Sequence, residues 1–175
     1  MKKLIFDVFY NEETKVAKAA ALEFNEFTDV VESNSYIDKS IITSEYIPGE
    51  FYKREMPAIM SLINNVITPE KLKAEYDTIV IDGLYMLSRD HMGLGARLRQ
   101  HLLDIGIDIE VIGIAKTHFH GCEEISTLVY RGLDSRKPLY VNGSAQRDYE
   151  KLVKSMYGDF RIPRLVKQVD KLCRM

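Results

Sequence analysis

The sequence predicts a mixed α/β fold, a β-sheet flanked by helices, and three observations predict it. Apolar runs punctuated by polar turns fill the opening part of the chain, as in an antiparallel meander. Beyond Tyr46, strand-like apolar runs alternate with segments of helical periodicity, which makes strand-helix-strand units. The chain closes on two stretches whose apolar residues recur at helical spacing.

Residues 3–10 run apolar, as a central strand does, and Asn11-Glu12-Glu13 supplies a polar turn. The next run, Val16-Ala-Lys-Ala-Ala-Ala-Leu-Glu-Phe24, reads two ways. Its alanines favour helix on propensity, and its place directly after a turn favours the second strand of a hairpin. A third strand is expected from Val30-Val31 to Ile42, with Asp38-Lys39-Ser40 as a point of interruption. Pro48-Gly49 fixes a turn, because proline locks its own φ and glycine opens conformations closed to other residues. After the stretch Tyr46–Pro57, Ile59, Met60, Leu62, Ile63, Val66 and Ile67 give a broadly apolar helix. It ends near Thr68-Pro69, since a proline disfavours helix in the residue before it. A short polar helix over 70–76 leads into the strand Thr78–Asp82. Leu94, Leu98, His101 and Leu102 mark a helix that Gly106 stops. Ile109–Ala115 is another strand, and Thr127-Leu-Val-Tyr130 and Leu139-Tyr-Val141 pair across the charged turn Asp134-Ser-Arg-Lys-Pro138. Ser144 is the expected cap of the next helix, with Tyr149, Leu152, Val153 and Met156 on its apolar face. The last helix follows Pro163 and presents Leu165, Val166, Val169 and Leu172.

Composition bounds the function without naming it. The chain has 175 residues, 46% hydrophobic and 29% charged, which suits one globular domain over 1–175 with a substantial core. A net charge of -2 announces no bulk affinity for nucleic acid, so any phosphate-binding surface must be a local patch. Cys122 and Cys173 are the two cysteines. No paired Cys or His spacing suggests a zinc site or a disulfide framework, so a reducing, cytoplasmic compartment is the expectation. No signal peptide and no apolar run of transmembrane length is found, so no membrane association is expected.

Two places carry a chemical signal. Leu4-Ile-Phe-Asp-Val-Phe-Tyr10 and Thr78-Ile-Val-Ile-Asp-Gly-Leu84 each read as an apolar strand interrupted by one aspartate, Asp7 and Asp82. A lone carboxylate in a buried strand is expensive to desolvate unless it is paired or binds a metal. Glu55, at a helix start, makes a candidate third member of an acidic cluster. Carboxylates converging from separate strands hold hard cations such as Mg2+ or Mn2+, the chemistry that phosphodiester hydrolysis needs. Lys116, at the end of an apolar strand, needs a phosphate or carboxylate partner to sit there.

These residues fall in motifs. Asp7-Val-Phe-Tyr10, Tyr46-Ile-Pro-Gly49 followed by Arg54-Glu55, Val80-Ile-Asp-Gly83, Gly93-Leu94-Gly95 and Gly113-Ile-Ala-Lys116 resemble, in order and spacing, the motifs of the endonuclease V family. Pro138-Leu-Tyr-Val-Asn-Gly143 and Arg161-Ile-Pro163 resemble its C-terminal part. The resemblance spans nearly the whole chain and implies that Val16–Phe24 is a strand in a ribonuclease H-like mixed sheet. It implies a metal-dependent endonuclease, probing DNA or RNA as a monomer and cutting 3′ to a deaminated base such as inosine. Asp7 and Asp82 would be the principal metal ligands, Glu55 the third acidic catalytic residue, and Lys116 the support of the reacting phosphate. Tyr46, Ile47, Pro48 and Gly49 match the family's wedge, whose aromatic and stiff turn can replace lost base stacking when a base leaves the helix. Arg54 is the candidate phosphate contact, and the Gly83 amide a candidate reader of the base edge.

The match departs from the family in two places. Leu84 and Ser88 stand where relatives carry histidines of the lesion pocket, which alters the recognition of hypoxanthine. Ser144 stands after Gly143 where relatives have a metal-proximal histidine; Asp148, one turn on, is the candidate substitute acid, with His118 and His120 as less direct candidates. Two further readings follow from these departures, a nuclease with the same core and another substrate, and a non-catalytic nucleic-acid-binding relative.

Overall fold

The computed structural model describes residues 1–41, 52–133 and 135–175. In chain order its elements are β1 (Lys2–Asn11), β2 (Val16–Phe24), β3 (Asn34–Ile41), α1 (Tyr52–Leu62), α2 (Pro69–Glu75), β4 (Tyr76–Asp82), the small hairpin β5 (Met86–Ser88) and β6 (His91–Met92), α3 (Leu94–Asp104), β7 (Glu110–Ala115), β8 (Thr127–Val129), β9 (Leu139–Gly143), α4 (Tyr149–Ser155) and α5 (Arg164–Arg174). Seven strands form one sheet in the order β3-β2-β1-β4-β7-β9-β8. The first three make an antiparallel meander, β1, β4 and β7 run parallel, and β9 and β8 return antiparallel.

Both faces of the sheet are covered, which is why its central strands read as nearly continuous apolar runs. On one face Leu4, Phe6, Ile79 and Ile81 pack with Ile59, Leu62 and Leu98 from α1 and α3. On the other, Ile5, Val80, Ile112 and Ile114 pack with Val153 of α4 and with Val166 and Val169 of α5. The alanine run that taken alone admits helix is strand β2. Ala17, Ala19 and Ala21 lie buried on the α1 side and Ala20 on the α5 side. Here tertiary pairing outweighs the small intrinsic helix preference of alanine.

Several boundaries differ from expectation. β3 begins at Asn34, not at Val30, because residues 25–33 form a loop in which the Asp29 carboxylate accepts the Asn25 and Glu26 amides; Val30 and Val31 are exposed there. Asp38-Lys39-Ser40 does not interrupt that strand, whose register against β2 is continuous. α1 starts at Tyr52 and runs through Pro57, which forfeits only one amide near the helix start. It widens into a π turn over Ile63–Ile67 before Thr68. Ser144 does not cap α4. Its Oγ accepts the Val111 amide at 3.0 Å, and Asp148 is the cap, accepting the Lys151 amide at 3.1 Å.

Candidate active site

Strand register brings the two aspartates together. In the parallel pair β1–β4, Ile5 lies beside Val80 and Phe6 beside Ile81, so the next position sets Asp7 beside Asp82. Side chains alternate along a strand, so both carboxylates follow Ile5 and Val80 onto the face covered by α5. In β4–β7, Asp82 lies beside Ile114, and two residues further on the same face comes Lys116. Its ammonium donates to Asp82 Oδ2 at 2.6 Å, and both side chains are largely enclosed, 23% and 11% exposed.

A fourth acid, Asp170, reaches this cluster from α5. Oxygen atoms of Asp7 and Asp170 and the Cys173 sulfur all lie within 4.8 Å of one another. The sequence reading missed Asp170, although a signal was present. Val166, Asp170 and Cys173 are spaced i, i+4, i+7, which places an acid within the buried stripe of α5. Arg174 Nε donates to Asp170 Oδ1 at 2.9 Å.

The electrostatics are those of an unbalanced acidic cluster. Burial, and then the neighbouring Asp82 charge, push Asp7 up to about 9, against the Val8 amide, which donates to its Oδ1 at 2.8 Å, and against Lys116. Burial and Asp82 likewise push Glu55 up to about 8 from its place in the first turn of α1. Burial opposes the charge of Asp170, but Arg174, Lys116 and Asp7 together hold it below the usual carboxylate range. Burial also works against the Lys116 ammonium, and Asp82 with the other acids more than offsets it, so its pKa lies above the ordinary lysine value.

Arg161 fastens this end of β7. Its Nη2 donates to the Lys116 carbonyl at 2.6 Å and to that of Pro138 at 2.9 Å, and its Nε to that of Lys137 at 3.0 Å. The Arg161-Ile-Pro163 motif therefore positions the backbone of Lys116.

Beside the acids lies a cavity of about 280 Å³, lined by Glu55, Asp82, Gly83, Leu84, Leu87, Leu94, Lys116, His118 and Phe119 among others. Gly83, Leu84 and Leu87 of the loop after β4 form part of its wall, and two glycines of the sequence motifs seat that loop. A Cβ on Gly113 would stand 2.4 Å from both the Gly83 carbonyl oxygen and the Tyr85 nitrogen, and one on Gly93 2.5 Å from the Leu84 oxygen. The loop is tied by Gly93 N to Tyr85 O at 2.9 Å, and by Asn142, which accepts the Met86 amide at 2.9 Å and donates to the Met86 carbonyl at 3.0 Å.

The other expected residues are placed as follows. Arg54 lies over the Tyr10 ring, 3.8 Å from its centroid, and pairs with Glu12 at 3.5 Å. Gly83 lines the cavity, but its amide donates to Ile114 O at 3.0 Å, so it extends the sheet and is not directed at the cavity. The wedge residues Tyr46, Ile47, Pro48 and Gly49 lie outside the described residues. Ser144 and Asp148 are not brought to the acids. The Ser144 amide donates to Val111 O at the start of β7, whereas Lys116 follows its end. Five residues of strand, roughly 17 Å, lie between. His118 lines the cavity and His120 is exposed on the same loop.

A mixed sheet with helices on both faces, bearing carboxylates side by side on adjacent parallel strands, is the ribonuclease H-like arrangement of metal-dependent nucleases. The family model for endonuclease V matches residues 5–171, and the chain belongs to that family; by that membership it is an endonuclease. No curated protein sequence matches it. It is similar to the crystal structure of Ciona intestinalis endonuclease V in complex with a 24mer DNA containing an inosine followed by a ribo-adenosine, at 17% identity and TM-score 0.79, covering 99% of this chain and 84% of that one. The endonuclease V of Streptomyces avermitilis gives 22% identity and TM-score 0.70, with coverage of 99% and 80%. That of Bacillus subtilis gives 20% and 0.66, with coverage of 99% and 78%. At these identities the likenesses speak for the fold. No helix among the described residues is long and apolar enough to cross a membrane.

Proposed function

We propose that residues 1–175 act as one endonuclease V-like domain that hydrolyses the phosphodiester 3′ to a deaminated base, inosine or deoxyinosine, in RNA or DNA. The observation that carries this reading is the nearness of Asp7 and Asp82, one position beyond the paired β1–β4 register and close enough for the Asp82 charge to raise Asp7, with the Lys116 ammonium 2.6 Å from Asp82. The Ciona relative was crystallised with inosine-containing DNA, and nucleic acid is the partner this chain's site suits.

The donor set fits a hard divalent cation, Mg2+ or Mn2+. Asp7, Asp82 and Asp170 surround the Lys116 ammonium with Glu55 close to Asp82, and burial followed by the Asp82 charge lifts Asp7 and Glu55 well above the ordinary carboxylate range. Asp7 and Asp82 would hold the ion, with Glu55 and Asp170 beside them. When bound, it supplies neutralisation of the phosphate and a water acidic enough to attack it. Lys116, held by Asp82 and by the Arg161 clamp on its carbonyl, would offer its charge to a non-bridging phosphate oxygen. Tyr46, Ile47, Pro48 and Gly49 would fill the gap left by an extruded base, Arg54 would contact the backbone, and Gly83 would border the base. The cavity, about 280 Å³, lies just below the range of about 300–1,000 Å³ usual for small-molecule sites, which suits a single base. Both cysteines are buried and free, in keeping with a cytoplasmic setting.

A different base is the second reading, favoured by the apolar lining from Leu84, Leu87, Leu94 and Phe119. The test is cleavage of matched DNA and RNA oligonucleotides with and without one inosine, in Mg2+ and in Mn2+, beside Asp82→Asn. Inosine-dependent cutting lost in the variant is the expected result. Cutting without inosine preference would move the substrate to the second reading, and binding without cutting of any strand would mean a non-catalytic relative.

A further inference from the structure

The loop between β7 and β8 holds a second cluster of metal-binding side chains that uses none of the acids above. Its sequence, His118-Phe-His120-Gly-Cys122-Glu123, concentrates two of the chain's four histidines and one of its two cysteines within five residues. No recognised Cys/His spacing flags it, and the fold does the gathering. Gly121 takes φ +89, and the Cys122 amide donates back to Phe119 O at 2.9 Å, which opens a 3-10 turn over Cys122–Glu124. The turn brings His118 Nε2 to 2.6 Å from Glu123 Oε2. A nitrogen of His118, the Cys122 sulfur and a Glu123 oxygen all lie within 4.8 Å of one another.

We infer that His118, Cys122 and Glu123 form a binding site for a borderline-soft divalent cation of the Zn2+ or Co2+ class, with a water in the fourth position. Imidazole, thiolate and carboxylate together suit such an ion and not Mg2+. Ligand distances of about 2.0–2.3 Å put tetrahedral ligand atoms roughly 3–4 Å apart, a small contraction of the observed cluster. To hold the ion, the Cys122 thiol would give up its proton and the neutral His118 ring would carry its one proton on the nitrogen facing away from the ion. An entry path exists, since the His118 and Glu123 side chains are about half exposed, 48% and 47%. Cys122 is fully buried among Leu84, Leu87 and Ala115, with Phe119 and Tyr140 packed against them. Leu84, Leu87, His118 and Phe119 also line the cavity, so an ion here would brace one wall of the base-sized cavity.

The test uses the full chain, freed of metal with a chelator and titrated with Co2+ in excess Mg2+. The expected result is a near-ultraviolet thiolate-to-cobalt band that saturates at one equivalent and is displaced by Zn2+. Cys122→Ser loses the band and Cys173→Ser keeps it. His118→Gln and Glu123→Gln, both at the surface and safe for folding, each weaken Co2+ binding by more than the roughly 10–100-fold that removing a ligand's supporting partner costs. No band in the wild type would overturn the site. So would a band unchanged by His118→Gln and Glu123→Gln, or one lost in Cys173→Ser, which would assign it to Cys173 with Asp7 and Asp170.

Discussion

Glu23 and Asp7 are both carboxylates on neighbouring strands of one sheet, and the protein treats them in opposite ways. Glu23 is almost wholly buried, yet it accepts hydrogen bonds from the Tyr76 hydroxyl and from Ser33 Oγ, the latter at 2.8 Å, with Lys2 at 3.6 Å. Burial would raise its pKa, and these partners together hold it below the usual carboxylate range. Asp7 receives the Val8 amide and the more distant field of Lys116, and burial with Asp82 still pushes it up to about 9. A buried acid whose charge the protein completes is part of the architecture. One whose charge the protein leaves uncompleted, as at Asp7, is where the proposed function places a cation from outside.

Four experiments break or sharpen that contrast. The largest effect is expected from Asp82→Asn, which removes the acid shared by Asp7, Glu55 and Lys116. Cleavage should fall by at least about 100-fold, with circular dichroism and the unfolding midpoint preserved; retained activity would detach the cluster from catalysis. Glu23→Gln should do the reverse. Weakening the acceptor for Tyr76 and Lys2 costs about 1–3 kcal/mol in urea unfolding, with cleavage per folded molecule unchanged.

pH gives the third. Asp7 and Glu55 have folded-state values of about 9 and about 8, above their ordinary 3.8 and 4.5. A raised acid favours the folded chain below its ordinary value, and that contribution is lost as pH climbs through the folded-state value. The metal-free chain should therefore lose stability between about pH 4 and pH 9, measured by thermal melts across that range. Added Mn2+ should stabilise it most at the alkaline end, where the ion meets ionised ligands. A stability that rises steadily with pH would mean that Asp7 is ionised and satisfied, as Glu23 is. The smallest effect belongs to Asp148→Ala, which removes the cap of α4 and costs about 1 kcal/mol with no change in cleavage; a loss of metal affinity would return Asp148 to the site.

How much of this was legible in the sequence depended on range. Asp7 and Asp82 stand out because each breaks an apolar strand, and such a break is a local signal. Their adjacency is a matter of register between strands some seventy residues apart, which no local pattern carries. Asp170 sits in an amphipathic helix, where one acid looks like ordinary surface until α5 is known to cover β1. The alanines of β2 favour helix by propensity and become strand through pairing on both sides. The substitute acid Asp148 was placed by its spacing from Ser144, which lies at the start of β7, and sequence spacing does not reveal which end of an antiparallel β9 returns to the acids.

The most direct measurement is the thermal shift on adding Mn2+ at pH 8 to the wild type, Asp7→Asn and Glu23→Gln. At about a hundredfold excess over Kd, binding contributes about 2.7 kcal/mol. The wild type and Glu23→Gln should gain that stabilisation equally and Asp7→Asn little of it. An equal gain in Asp7→Asn would contradict the assignment of the buried acids to a metal centre.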